Sequence, residues 1–350
     1  MKLNNISTLA LNAGLRNTTL NHQIELAKLQ KEAVTGRKAD IGNELGAFSS
    51  TVVSFETQIE MLDQLKVTNG IVENRFSTLQ TSMTRLVDGA NDFIGQITAE
   101  LTSNLEQGVL KTVGQSALQS LSITMNVTFK GEYVLSGINS DSPAIVDYEG
   151  ASGNAAKTAV VNAFQTNFGF APDDPAAANI TPAAMEAFID GPFNDLFNDA
   201  NWQALWSDSS DRGIRAKISP RELVETPTTG QAQAFRSVTA AAVMITEFSS
   251  ATLSENTMNA LAEKSIAMMS ASVSQIGDEQ AKTGIIEERV KDANERMEFQ
   301  KNVITEQLGG IADVDSYETA VRLNQLLTSL EASYAATARI QSLSLMNFIQ

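Results

Sequence analysis

Apolar residues recur at steps of three and four through most of the chain, a spacing typical of helices with one apolar stripe. The longest such run begins near residue 45 and ends near residue 105. Its apolar positions include Phe48, Val52, Phe55, Ile59, Leu62, Leu65, Val72, Phe76, Leu79, Met83, Leu86, Phe93, Ile97 and Leu101. One helix over this run would extend about 90 Å, at about 1.5 Å per residue. It cannot bury its stripe alone, so we expect it to pack against another helix of the same or a neighbouring chain.

Both ends of the chain carry narrower apolar stripes. The first runs from Ile6 to Val34, mostly at intervals of seven. Gly36 follows it, and a glycine directly after the last turn is a common end of a helix. The second runs from Tyr317 to Leu345. Because the residues opposite each stripe are polar, each stripe predicts a partner helix. The predicted subunit-interface residues are Ile6, Leu9, Ala13, Leu20, Ile24, Ala27, Tyr317, Leu323, Leu327, Leu330, Tyr334 and Leu345.

Proline marks the middle of the chain as a different structure. All seven prolines lie between residues 143 and 227, and both tryptophans, Trp202 and Trp206, lie in the same segment. Proline is excluded from helix interiors, so the outer segments are predicted to be long helices. The predicted fold is mainly α: a long antiparallel, coiled-coil-like helical bundle built from both chain ends, with an inserted smaller domain that is α+β or otherwise contains β-structure.

The predicted domains are nested. Residues 1–40 with 310–350 form a terminal helical assembly domain, residues 41–138 with 231–309 form a long helical bundle, and residues 139–230 form an inserted outer domain.

Shorter elements are predicted within these domains. The first strand of the insert is predicted at residues 132–136, with a turn at Gly137, and the two tryptophans are expected to form a small core. Further helices are predicted at about residues 231–275 and 276–308, with Gly309 and Gly310 separating the second from the last helix.

Composition narrows the chemistry that the chain can perform. It has no cysteine, which excludes disulfides, thiolate metal sites and cysteine nucleophiles. Its single histidine, His22, excludes a metal site with two histidines from one chain, and we interpret it as a packing residue beside the N-terminal stripe. The net charge of −16 makes nucleic acid and anionic membranes poor partners. We therefore expect no cofactor, no metal and no membrane insertion.

Five stretches of the sequence resemble the flagellin superfamily. Residues 26–38 are similar to the family's N-terminal helix and the Gly–basic turn that ends it, and residues 131–137 to its aromatic–apolar–Ser–Gly strand. At the other end, residues 315–325, 330–334 and 343–349 are similar to its terminal helix. Within the superfamily, the sequence most resembles the hook-associated protein of the hook–filament junction.

The resemblance implies a structural subunit of the bacterial flagellum rather than an enzyme. It implies a ring of identical subunits between the first hook-associated protein and filament flagellin, with a flagellar export chaperone as a further partner. It also implies an extracellular location, reached unfolded through type III export. This agrees with an N-terminus that lacks the continuous apolar run of a cleaved signal peptide. Filament flagellin is the alternative.

Two other classes of protein fit the sequence less well. A signalling rod of the chemoreceptor type would have a membrane segment, and a hairpin tip in place of the segment with proline and tryptophan; the sequence shows neither feature. An enzyme carried by the insert would need a coherent acid–base pair, and residues 139–230 contain neither histidine nor cysteine. As a flagellar subunit, the chain is expected to have terminal helices that become fully ordered only when neighbours cover their stripes.

Overall fold

The computed structural model describes residues 8–103, 107–249 and 252–349, with side chains for residues 13–103, 108–249 and 252–339. The predicted mainly α fold is confirmed. The helices are α1 (Thr8–Thr35), α2 (Ile41–Leu45), α3 (Ser49–Thr102), α4 (Gln107–Met125), α5 (Asn154–Phe168), α6 (Pro182–Phe188), α7 (Asp199–Leu205), α8 (Gln233–Phe248), α9 (Glu255–Ala312) and α10 (Ser316–Ile349). The long helix predicted for residues 45–105 is α3.

Two antiparallel hairpins provide the strands. In the first, β1 (Thr128–Phe129) pairs with β2 (Glu132–Tyr133) through a two-residue Lys130-Gly131 turn, in which both residues have positive φ. In the second, β3 (Arg215–Ser219) pairs with β4 (Glu222–Glu225).

The predicted strand at residues 132–136 was too long. The Val134 amide still donates across the hairpin to the Val127 carbonyl, but the carbonyls of Leu135 and Ser136 accept hydrogen bonds from the amides of Gly230 and Ser210 instead. The predicted turn is present, with Gly137 at φ +63°.

The predicted helix boundaries in the second half of the chain were wrong. The break falls between α8 and α9 rather than near residue 275, and the Ser254 hydroxyl accepts a hydrogen bond from the Thr257 amide where α9 begins. Gly309 and Gly310 lie inside α9 and do not end it. Burial of Leu308 and Ala312 against Val52 offsets the poor helix propensity of two glycines, about 1 kcal/mol each.

The chain divides into two compact units. The terminal unit comprises residues 1–64 and 297–350, and the main unit comprises residues 65–296. The terminal unit has a small core in which Val52, Leu308 and Ala312 are buried. This division does not test the predicted boundaries at residues 40, 138, 230 and 309, which stay a prediction.

The core of the main unit is larger and rich in aromatic residues. Trp202 and Trp206 are fully buried, with ring centroids 5.9 Å apart, and their Nε1–H groups donate to the carbonyls of Gly230 and Leu196. Phe164 stacks on Phe248 of α8 at 5.3 Å. Residues of the predicted insert therefore share one hydrophobic core with α8.

Candidate functional site

The turn after α1 joins the N-terminal and C-terminal segments of the terminal unit. Gly36 has φ +69°, which favours glycine, and its carbonyl accepts a hydrogen bond from the Val314 amide. The Lys38 amide donates to the carbonyl of Ala312. Arg37 lies beside two carboxylates, Glu56 at 3.0 Å and Asp313 at 3.7 Å. The Gly–basic turn thus fixes the start of α10 beside the end of α1.

From this turn, α1 and α10 run antiparallel and pack against each other. Near the middle of the pair, the Gln23 side-chain amide donates to the Tyr334 hydroxyl at 2.8 Å. We call the side chains buried or half-buried between the two helices the inner seam. Its members are Leu15, Thr19, His22, Leu26 and Leu29 on α1, and Thr319, Leu323, Leu326 and Leu330 on α10.

A second set of apolar residues on α1 faces solvent. Leu20 is 53% exposed and Ile24 is 69% exposed, whereas Leu29 of the inner seam is 5% exposed. Ala13, Ala27 and Val34 are also exposed. This is the stripe that the intervals of seven reveal in the sequence, and it does not pack on α10.

Helix α10 carries a corresponding exposed set. Tyr317 is 80% exposed, and Val321, Leu327 and Tyr334 are also exposed. We call these two sets the outer stripes: Ala13, Leu20, Ile24, Ala27 and Val34 on α1 and Tyr317, Val321, Leu327 and Tyr334 on α10. Tyr334 lies at the edge of its stripe, because its hydroxyl also contacts Gln23 of α1. Two apolar surfaces of this kind leave the helix pair with area that further helices can cover.

The structure divides the predicted interface residues into three groups. Those in the outer stripes are Ala13, Leu20, Ile24, Ala27, Tyr317, Leu327 and Tyr334. Leu323 and Leu330 belong to the inner seam. Ile6 lies outside the described residues, as do the side chains of Leu9 and Leu345. The sequence did not reveal Leu15, Leu26 and Leu29 as a seam, although their spacing follows the same heptad rule.

Exposed apolar side chains are concentrated in the terminal unit. Of the 19 large exposed apolar residues in the described part of the chain, 12 lie there, although it holds only about a third of the residues. Besides the outer stripes, they include Phe48, Val53 and Met61 near or on α3, and Phe299 and Val303 on α9. The surface available to partners therefore extends beyond α1 and α10.

Charged contacts around the turn hold α2 against α1. Lys28 pairs with Glu44 at 3.0 Å, and this hydrogen bond raises the pKa of Lys28. Asp40 caps α2, and hydrogen bonds from the Asn43 backbone and side-chain amides lower the pKa of Asp40.

The described ranges contain neither a metal-binding cluster nor a membrane-spanning helix. There, no three His, Asp or Glu side chains come together where they could hold a metal ion. None of the helices described is both long and apolar enough to cross a bilayer.

Comparison with protein families gives two matches. A model described as the bacterial flagellin N-terminal helical region matches residues 6–140, and one described as the bacterial flagellin C-terminal helical region matches residues 266–349. Together they cover more than half of the chain. No curated protein matches the sequence.

Comparison with solved structures gives a likeness in fold. A protein of Vibrio parahaemolyticus, provisionally described as flagellar hook-associated, aligns with a TM-score of 0.52 and 9% sequence identity. The alignment covers 77% of this chain and 99% of that one. At this identity the likeness concerns the fold alone.

Proposed function

The chain belongs to the flagellin family and is a structural protein of the flagellum, and we propose that it forms the junction between the hook-associated ring and the filament. In this role it is a non-catalytic subunit that is exported and assembled outside the cell. A structural neighbour described as hook-associated and the sequence resemblance to the junction member of the superfamily together support a place at the hook.

The observation that carries the proposal is the pair of outer stripes on α1 and α10. The inner seam provides the packing of each helix on the other, so the exposed area of the outer stripes is available to helices of neighbouring subunits. Covering one leucine-sized side chain contributes about 1.5–3 kcal/mol, so several such contacts per subunit stabilise an assembly strongly. Copies of the same chain, the first hook-associated protein and filament flagellin are the proposed neighbours, and an export chaperone is the proposed partner before assembly.

An assembly test compares two double variants of α1 in cells whose own copy of the gene is deleted. Leu20→Glu with Ile24→Glu places charge in an outer stripe, and should lower incorporation into hooks at least tenfold while secretion continues. Thr18→Glu with Asn21→Glu adds the same charge at exposed polar positions of the same helix, and should assemble normally. Quantitative mass spectrometry of isolated hooks measures incorporation. Equal incorporation of the two variants would show that the outer stripes are not the assembly surface.

A deletion strain tests the junction position separately. The junction role predicts intact hooks without filaments, with filament protein released into the medium. Filaments that stay attached to the hooks would overturn it. If instead the purified chain polymerises alone into long filaments, the protein is a filament flagellin.

A further inference from the structure

The main unit contains a polar cavity of about 690 Å³ that the assembly role does not use. Its wall is formed by α7, β4, the loop that follows β4, the first turn of α8 and the middle of α9. Its volume lies within the range of about 300–1,000 Å³ typical of small-ligand sites. Charged side chains line it, in contrast to the aromatic core beside it.

A buried guanidinium forms one wall of this cavity. The side chain of Arg236 is 8% exposed, and its Nε–H and one Nη2–H donate to the Gln231 carbonyl at 2.9 and 2.6 Å. These two bonds fix the plane of the guanidinium, and its Nη1 group donates to the Asp199 carboxylate. Arginine held in this way presents a preorganised fork for a carboxylate.

The carboxylate now paired with Arg236 is free to move. The side chain of Asp199 is 95% exposed, so a change of rotamer breaks no packing contact. If Asp199 turns away from Arg236 it loses this ion pair, and an ammonium group placed beside Asp199 would supply a new one. The geometry of an exposed acid facing a buried guanidinium therefore matches a zwitterion, with its carboxylate on Arg236 and its ammonium on Asp199.

The remaining wall offers one carboxylate that can accept a positive side chain. Besides Asp199, the cavity is lined by the carboxylates of Asp211, Glu225 and Glu279, whereas Lys282 is its only other cation among the described lining residues. Lys282 pairs with Glu279 at 2.7 Å, and a hydrogen bond from Arg215 lowers the pKa of Glu225 and keeps it ionised. Among the described residues, Asp211 is the one of these four carboxylates that forms no ion pair, so the cationic group of a ligand can pair with it.

We propose that this cavity binds a free α-amino acid with a cationic side chain, such as arginine or lysine. Its carboxylate occupies the fork of Arg236, its ammonium contacts Asp199, and its side chain extends toward Asp211. The proposal rests on residues of the main unit and is independent of the junction role.

Calorimetric titration of the full chain at low ionic strength tests this site. L-Arginine should bind saturably at one site per chain. Agmatine, which has the same side chain but no carboxylate, should bind at least tenfold more weakly, and L-glutamate more weakly still. Absence of saturable binding by arginine and lysine would overturn the proposal. Equal binding of arginine and agmatine would also overturn it, because an acidic wall alone would then explain the affinity.

Variants locate the site. Asp199→Asn changes an exposed residue and should weaken arginine binding at least tenfold, whereas Asp195→Asn removes the same charge from an exposed position outside the cavity lining and should change it less than twofold. Arg236→Lys keeps the charge but removes the fork, and should also weaken binding at least tenfold. Equal effects of the two aspartate variants would show that binding occurs elsewhere.

Discussion

Gly114 lies where α4 packs against α8, and its missing side chain allows the two backbones to approach. A Cβ atom at this position would lie 2.9 Å from the Thr246 nitrogen and 3.2 Å from the Ala242 oxygen. The backbone atoms of a packed helix cannot move aside cheaply. Nothing in the sequence around Gly114 predicts this contact, because a glycine inside a helix indicates only a low local helix propensity.

Gly114→Ala is therefore expected to destabilise the main unit by about 1–3 kcal/mol, as overpacking does. Gly95→Ala is the matched control, because a Cβ there meets no atom within 4 Å and should stabilise α3 by up to about 1 kcal/mol. Urea unfolding followed by the fluorescence of Trp202 and Trp206 measures both. Equal destabilisation by the two substitutions would contradict the close approach of α4 and α8.

Glu287 on α9 gives a pH-dependent prediction. Desolvation raises its pKa, a hydrogen bond with Gln80 opposes the shift, and the charge of Glu73 adds to it. A raised pKa means that the folded state binds the proton more tightly, so ionisation of Glu287 lowers stability as the pH rises through this pKa. Glu287→Gln should therefore raise the melting temperature at pH 7, and the gain should vanish below about pH 4, where the wild-type carboxyl is protonated.

The control for this experiment is Glu288→Gln, which changes an exposed neighbour paired with Lys291. It should not reproduce the gain at pH 7. A gain from Glu287→Gln that is the same at pH 4 and pH 7 would show that charge on this residue is not its cause.

At the scale of the element, sequence spacing identified the long helices α1, α3 and α10 but not which of their faces pack. The intervals of seven on α1 singled out residues such as Leu20 and Ile24, which face solvent. The inner seam was missed because Thr19 and His22 interrupt its apolar residues. On α10, apolar residues occupy both faces, so Leu323 and Leu327 were assigned to a single stripe although they face different surroundings. Which face packs within the chain depends on where the partner helix lies, and the spacing of apolar residues does not give that position.

Element boundaries show the same limit. Ser254 caps the start of α9 and so marks the break that follows α8. This serine is visible in the sequence, but the spacing of apolar residues does not indicate its role. The persistence of α9 through Gly309 and Gly310 depends instead on tertiary burial of Leu308 and Ala312, which overrides the local preference.

Leu29→Ala tests the distinction between the two faces of α1. Removing a buried leucine side chain from the inner seam should cost about 2 kcal/mol, and should speed amide exchange over residues 13–35 at least tenfold. Leu20→Ala removes the same atoms from an outer stripe and should leave exchange in the lone chain unchanged. Faster exchange in both variants would mean that the outer stripe also packs within the chain.

At the scale of the whole molecule, the segment with proline and tryptophan is part of the main unit's core. Phe188 and Phe193 contact Phe248 of α8 with ring centroids 5.4 Å apart. The Asn69 side chain of α3 donates to the carbonyl of Ile218 in β3, and Glu222 of β4 pairs with Arg289 of α9 at 3.0 Å. The position of the prolines revealed that this segment differs from the helices, but not that the helices depend on it.

Deletion of residues 145–225 should therefore disrupt the main unit, because it exposes Phe248 and removes the β3–β4 hairpin. Amide exchange over residues 233–248 should approach that of an unfolded chain. Removal of the last fifteen residues is the control, and should leave exchange in this helix unchanged. Native protection of α8 in the internal deletion would show that the long helices form their core without the segment.

The proposed assembly requires outer stripes that are open in the lone chain and covered in the assembled flagellum. Hydroxyl-radical footprinting of both states measures this directly, residue by residue. Leu20, Ile24, Tyr317 and Tyr334 should be labelled in the dilute chain and protected in isolated hooks that carry it, while Leu26 and Leu29 of the inner seam should be equally protected in both. Equal labelling of the outer stripes in the two states would contradict the proposed assembly surface.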